Sequence, residues 1–131
     1  MNTLITNLKN PLDLAGRVLL AAIFLLAGLQ KVGGYDGTAA YMASVGVPGA
    51  LLPAVIALEI GGALAIIAGF QTRLVAILLA GFSGVAALLF HANFADPMQS
   101  ILFLKNLSIA GGFLVLAANG PGAWSVDARH R

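Results

Sequence analysis

Residues 14–32 read LAGRVLLAAIFLLAGLQKV, and this run decides the fold. It matches the roughly 20 apolar residues that a helix needs to cross a bilayer core. It is too long for the apolar part of a secretory leader, and no small-residue cleavage site closes it. It therefore reads as a first transmembrane helix that is kept. Three more runs of the same kind follow, over residues 51–69, 74–93 and 101–119. Breakers separate them: Gly33-Gly34 ends the first, Pro48 and Pro53 open the second, and Gly120-Pro121-Gly122 stops the fourth. Lipid offers backbone groups no hydrogen-bond partner, so each run must be helix. The connections are short, which makes neighbouring helices antiparallel. The expectation is an all-α integral membrane protein, an antiparallel four-transmembrane-helix bundle in one domain spanning residues 1–131.

Composition agrees. The chain is 60% hydrophobic and 9% charged over 131 residues. A soluble globule of that size leaves too much surface in water to hide so apolar a chain, so its partner is the lipid bilayer. The basic residues are scattered, which gives no basis for nucleic-acid binding. With no cysteine, disulfides, thiol chemistry and thiolate metal sites are excluded within the chain. Lys9, Arg17, Arg73, Arg129 and Arg131 fall on one side of the spans, and Lys31 and Lys105 on the other. The positive-inside rule then puts both termini in the cytoplasm.

Two segments outside the spans carry patterns of their own. Leu4, Ile5, Leu8 and Leu12 form a helical stripe suited to the membrane surface. In the longest loop, a short interfacial helix is expected over residues 38–45, capped by Thr38, with Tyr41 and Met42 toward the membrane. Small residues recur every four positions at Ala57, Gly61, Ala65 and Gly69, and again at Ala76, Ala80 and Gly84. Such ridges let helices approach closely and leave room for a homodimer.

Polar residues within spans are costly and mark either structural locks or sites. Here they are Arg17, Gln30, Lys31, Glu59, His91, Lys105 and Asn106. Glu59 lies roughly 12 Å below the outer edge of its run, and Lys105 roughly 6 Å below its own. Lys31 and His91 stand near the outer ends of the first and third spans. Each span thus supplies one polar group to the same half of the bundle, so a shared cavity holding Lys31, Glu59, His91 and Lys105 is expected. A carboxyl as deep as Glu59 must be paired or protonated, and Lys31 or Lys105 can hold it ionised. The competing reading is an interhelical salt bridge that only locks the bundle. Lys31 and Lys105 can also snorkel to the headgroups. Asn106 suits an interhelical hydrogen bond, and Gln30 fits either role. Arg17, Phe24 and Lys31 are spaced by seven and share a face about 21 Å long that points inward. Arg17 itself reads as a snorkelling arginine that pairs with Asp13 and fixes topology.

Counting removes several chemistries. Only His91 lies in a span, so bis-histidine haem is excluded. Glu59 and His91 alone do not make a zinc site, and no Glu-x-x-His pair supports a di-iron centre. No metal and no built-in cofactor are expected, and any redox chemistry must come from a diffusible quinone or a partner protein. Lys31, Lys105 and His91 offer donors, Glu59 a protonatable group, and Phe90, Phe94 and Phe103 a wall.

One ordered set of residues resembles a known family. Arg17, Phe24, Gly28 and Lys31 form R-x6-F-x3-G-x2-K. A loop from Gly37 through Tyr41-Met42 reaches Gly46-Val47-Pro48, and Glu59 is followed by Gly61-Gly62. Phe90-His91-Ala92-Asn93-Phe94 ends the third span, and Phe103-Leu104-Lys105-Asn106-Leu107 with Gly111-Gly112 marks the fourth. This series resembles the DoxX family from about Asp13 to Ala118. The resemblance implies a four-helix bacterial inner-membrane protein. The family is named for a subunit associated with quinone-linked sulfur oxidation. Other members are tied to oxidative-stress and quinone or catechol resistance as membrane partners of soluble oxidoreductases. It supplies no established catalytic residues; Arg17, Lys31, Glu59, His91, Lys105 and Asn106 match recurrent positions. The resulting expectation is an accessory subunit of a quinone-linked oxidoreductase or oxidative-stress system rather than a self-sufficient enzyme. A small-molecule or proton-coupled transporter using Glu59 and His91, or a pure membrane scaffold, are the alternatives.

Overall fold

Prolines, ion pairs and, for α6, a side-chain cap set helix ends that differ from the apolar runs that announce them. The computed structural model describes residues 2–129. Its helices are α1 (Asn2–Asn7), α2 (Lys9–Gly33), α3 (Tyr35–Ser44), α4 (Leu52–Ala68), α5 (Thr72–Phe90), α6 (Pro97–Asn119) and α7 (Val126–Arg129), with a 3₁₀ turn at Gly49–Leu51 ahead of α4. The four long ones, α2, α4, α5 and α6, are each long and apolar enough to cross a membrane.

Helix α2 starts five residues before its apolar run. Pro11 falls in the first turn, where a missing N–H costs nothing, and the Lys9–Asp13 ion pair at 2.6 Å spans that turn. Helix α6 starts four residues early because the Asp96 side chain accepts from Met98 N at 3.0 Å and Pro97 takes the first helical position. The third span ends at Phe90 rather than Asn93. Turns at Ala92–Phe94 and Asn93–Asp96 then lead the chain into the α6 cap. The short helix of the long loop begins at Tyr35, and Thr38 donates back to Gly34 O at 3.0 Å instead of capping it.

The spans pack as two close pairs, α2 on α4 and α5 on α6, joined mainly where α4 meets α5. Ala21, Phe24, Ala63, Ile66, Leu79 and Phe113 form the dry centre, with Phe24 edge-on to Phe113 at 5.5 Å. The outer faces are apolar as well: Leu19, Leu26, Leu88 and Val115 are all more than half exposed, the face a bilayer covers. Leu4, Ile5, Leu8 and Leu12 are exposed together at the start of the chain. Of the two small-residue ridges, Ala76 and Ala80 are buried within the bundle, whereas Ala57 and Gly61 lie exposed on its outer surface.

Arg17 corrects the snorkelling expectation. It is 1% exposed, and Asp13 pairs with Lys9 instead. Its guanidinium donates to Ile66 O at 3.2 Å and Ile67 O at 3.1 Å, and also to Trp124 O. The last carbonyls of α4 have no partner within the helix. Gly69 (φ 76°) turns the chain so that Phe70 N reaches Ala65 O and Gly69 N reaches Ile66 O, a Schellman ending. Arg17 satisfies Ile67 O, which that turn leaves over, and is a second donor to Ile66 O. A Cβ on Gly69 would meet Ser125 and Arg17 within 2.6 Å, so the turn, the guanidinium and the C-terminal segment fill one space. Asp127 completes the knot: its two carboxylate oxygens accept from Gln71 N at 2.7 Å and Thr72 N at 2.9 Å, which caps α5.

The start of α2, the α4–α5 turn and the C-terminal segment thus meet at one end of the bundle. Lys9, Arg17, Arg73 and Arg129 all belong to that end; Arg131 lies outside the described residues. Replacing Arg17 by Met is expected to lower stability by about 3 kcal/mol, because it leaves helix-end carbonyls buried without donors. A fall in Tm in mild detergent checks it, and an unchanged Tm refutes the capping role. Cysteine-free wild type also permits a clean topology test. Ser44→Cys should react with an impermeant maleimide in intact cells, and Ala123→Cys only after permeabilisation.

Candidate functional site

The other end of the bundle is hollow. A cavity of about 540 Å³ opens between the helix pairs, within the size range of small-molecule sites. Phe24 of α2 and Phe82 of α5 meet edge to face at 6.3 Å along its wall. Helix α3 covers one side: Met42 is buried against it, and Tyr41 stacks on Phe90 at 5.6 Å.

One ion pair is the main polar feature. Lys31 Nζ lies 2.8 Å from Glu59 Oε1; the lysine side chain is 27% exposed and the glutamate 4%. Gly28 makes the approach of α2 to α4 close enough for this. A Cβ there would sit 2.5 Å from Ile60 Cγ1 and 3.3 Å from Glu59 Cβ. Without it, α2 lies against the backbone of α4 beside Glu59, and Lys31, one turn further on, reaches the carboxylate. Glu59 lies seven residues into α4, about 10 Å along the helix. The pair answers two questions at once: it locks α2 to α4, and both members also line the cavity.

His91 and Asn106 line it as well. His91 closes the C-terminus of α5, and its Nδ1 is 2.9 Å from Gln99 Oε1. Lys105 and Gln30 do not join. Lys105 is exposed on α6, and Gln30 is exposed on α2. The reason is rotational: neighbouring residues on a helix point about 100° apart, so Asn106 and Lys31 face the cavity while their neighbours turn away. Of the aromatic wall, Phe90 is present, whereas Phe94 and Phe103 pair with each other at 5.0 Å and do not line the cavity. Arg17 belongs to the opposite end of the bundle.

The sequence reading missed Thr38, Tyr41, Met42 and Ser83, which also line the cavity. Of these, Tyr41 and Met42 are expected from the sequence to face the membrane, and Thr38 to cap the loop helix. Ser83 had a readable signal: it is a hydroxyl set within the buried alanines Ala76, Ala80 and Ala87.

A profile of the DoxX family matches residues 12–92. The chain belongs to the DoxX family. It is 54% identical over 114 residues to the inner membrane protein YqjF of Escherichia coli (strain K12), covering 87% of this chain and 88% of that protein. It is 42% identical over 123 residues to the inner membrane protein YphA of the same strain, covering 88% of each. A shorter likeness, 34% over 64 residues, joins it to the protein named "Putative oxidoreductase CatD" of Bacillus subtilis (strain 168), covering 49% of this chain and 48% of that one. No solved structure matches it. This DoxX-family chain is accordingly a multi-pass protein of the bacterial inner membrane.

Breaking one member of the ion pair is expected to cost more than removing both. Lys31→Met leaves the Glu59 carboxylate buried without its cation and should destabilise by about 3 kcal/mol, whereas Lys31→Met with Glu59→Leu should recover most of the loss. Tm values of the two variants in one detergent decide this. Equal loss in both would mean that packing, not charge, holds α2 on α4.

Proposed function

We propose that this DoxX-family protein is a ligand-binding membrane subunit of an oxidoreductase system, and that its ligand is a diffusible quinone or a molecule of closely similar chemistry. The observation that carries the reading is the cavity: apolar and aromatic walls surround a few convergent polar groups, the usual build of a small-molecule site. The donor set suits a quinone headgroup. Lys31 and Asn106 offer N–H groups to carbonyl oxygens, His91 offers a ring nitrogen, and Glu59 can hold a proton beside them. A bound quinone supplies the electron-carrier chemistry, and the protein supplies binding, orientation and exclusion of water. The oxidoreductase name carried by the Bacillus subtilis relative favours a redox setting.

The positive-inside reading places the cavity in the outer half of the bundle and both termini in the cytoplasm, where a soluble oxidoreductase can reach them. Transport is the weaker reading, because α2, α4, α5 and α6 run unbroken through their spans, and many secondary transporters build their sites from interrupted helices.

Extraction from native membranes in mild detergent, with mass spectrometry of the co-purifying lipids and proteins, tests the proposal. Quinone should be enriched with the wild type and fall about tenfold with Glu59→Gln, the effect of losing about 1.4 kcal/mol of binding. A stoichiometric partner protein without quinone, the same in both samples, would favour a scaffold and leave the Lys31–Glu59 pair as a lock alone.

A further inference from the structure

Ser83 stands where an alanine would pack as well. It lies on α5 in a buried stripe with Ala76, Ala80 and Ala87, and small side chains of this kind allow close helix contact. It is 3% exposed. A serine within a helix can return its hydroxyl to the carbonyl one turn back. Ser83 Oγ instead has no hydrogen-bond partner among the described residues. A buried polar atom left without a partner is uncommon and calls for a physical reason.

The reason lies in what the hydroxyl faces. Ser83 lines the same cavity as Lys31, Glu59, His91 and Asn106. It sits seven residues from the end of α5, about 10 Å along the helix, a depth comparable with that of Glu59 in α4. Phe82 precedes it, and Phe24 approaches Phe82 from α2, so the space beside the hydroxyl has aromatic walls. The polar groups are divided between the two helix pairs: Lys31 and Glu59 on α2 and α4, Ser83 and Asn106 on α5 and α6.

We infer that Ser83 is a ligand-binding residue whose hydroxyl donates to an acceptor oxygen of the bound molecule, while the Lys31–Glu59 pair engages a second polar position. The inference rests on the ligand-binding reading of the cavity and narrows its ligand to a flat apolar ring with oxygens at two separated positions. Such a molecule bridges α2/α4 to α5/α6 across the seam where the helix pairs part.

The full chain, purified in mild detergent, is titrated with two probes by calorimetry: menadione, which has two ring carbonyls, and methylnaphthalene, the same ring system without them. Wild type is expected to favour menadione. Ser83→Ala should weaken menadione about tenfold, as for one lost hydrogen bond worth about a decade of affinity, and leave methylnaphthalene unchanged. Without ligand, its Tm should equal or exceed that of wild type. Equal menadione affinity in wild type and Ser83→Ala overturns the role of Ser83 while the cavity remains a ligand site. A clear drop in ligand-free Tm also overturns it, by making the hydroxyl structural. Absence of menadione binding to wild type removes the quinone reading of the cavity and the role of Ser83 together.

Discussion

A cation in a membrane span must be met by oxygen, and α2 meets that constraint twice against the same neighbour. Arg17 donates to the terminal carbonyls of α4 at one end of the bundle. Lys31 pairs with Glu59 of α4 near the other. The two side chains are fourteen residues apart on one helical face, about 21 Å, so the contact is pinned close to both of its ends. Gly28 sets the spacing between the pins, since any side chain there would run into Ile60. Every other feature of the bundle is arranged around this fixed pair.

The second pair, α5 with α6, is held largely by apolar and small residues, with Leu79, Ala80 and Phe113 at the centre. It is anchored to the first at the closed end, where Asp127 caps α5 and Arg17 reaches Trp124 O. That end is dense because backbone carbonyls, N–H groups and two charged side chains satisfy one another. Among the described residues, the opposite end has no comparable knot. There the helix pairs part, α3 lies across the gap, and the cavity forms. Closure at one end and opening at the other are two results of where the hydrogen-bonding groups were placed.

The polar residues thus divide by role. Arg17 is a structural group, since both Nη atoms of its guanidinium donate to backbone oxygens. Glu59 and Lys31 both support the bundle and line the cavity, so substitutions at either act on stability and on the site together. Ser83 is separable, because an alanine at its position keeps the packing, and it therefore reports on the cavity without disturbing its frame.

Much of this was legible in the chain itself. The four apolar runs, about 20 residues each, fixed the number of spans, because lipid allows no other way to satisfy the backbone. The spacing of Arg17, Phe24 and Lys31 identified an inward face, and depth alone grouped Lys31, Glu59, His91 and Lys105, of which Lys105 does not line the cavity. Depth says nothing of rotation, and rotation excluded Lys105 and Gln30 although each adjoins a residue that lines the cavity. Helix ends depended on Asp96, Asp127 and Gly69, whose capping partners are in part distant along the chain. The fate of Arg17 needed the tertiary structure, because the carbonyls that receive it lie about fifty residues away. The same is true of Ser83: a serine among alanines is visible in the sequence, but only packing shows that none of the described residues answers its hydroxyl.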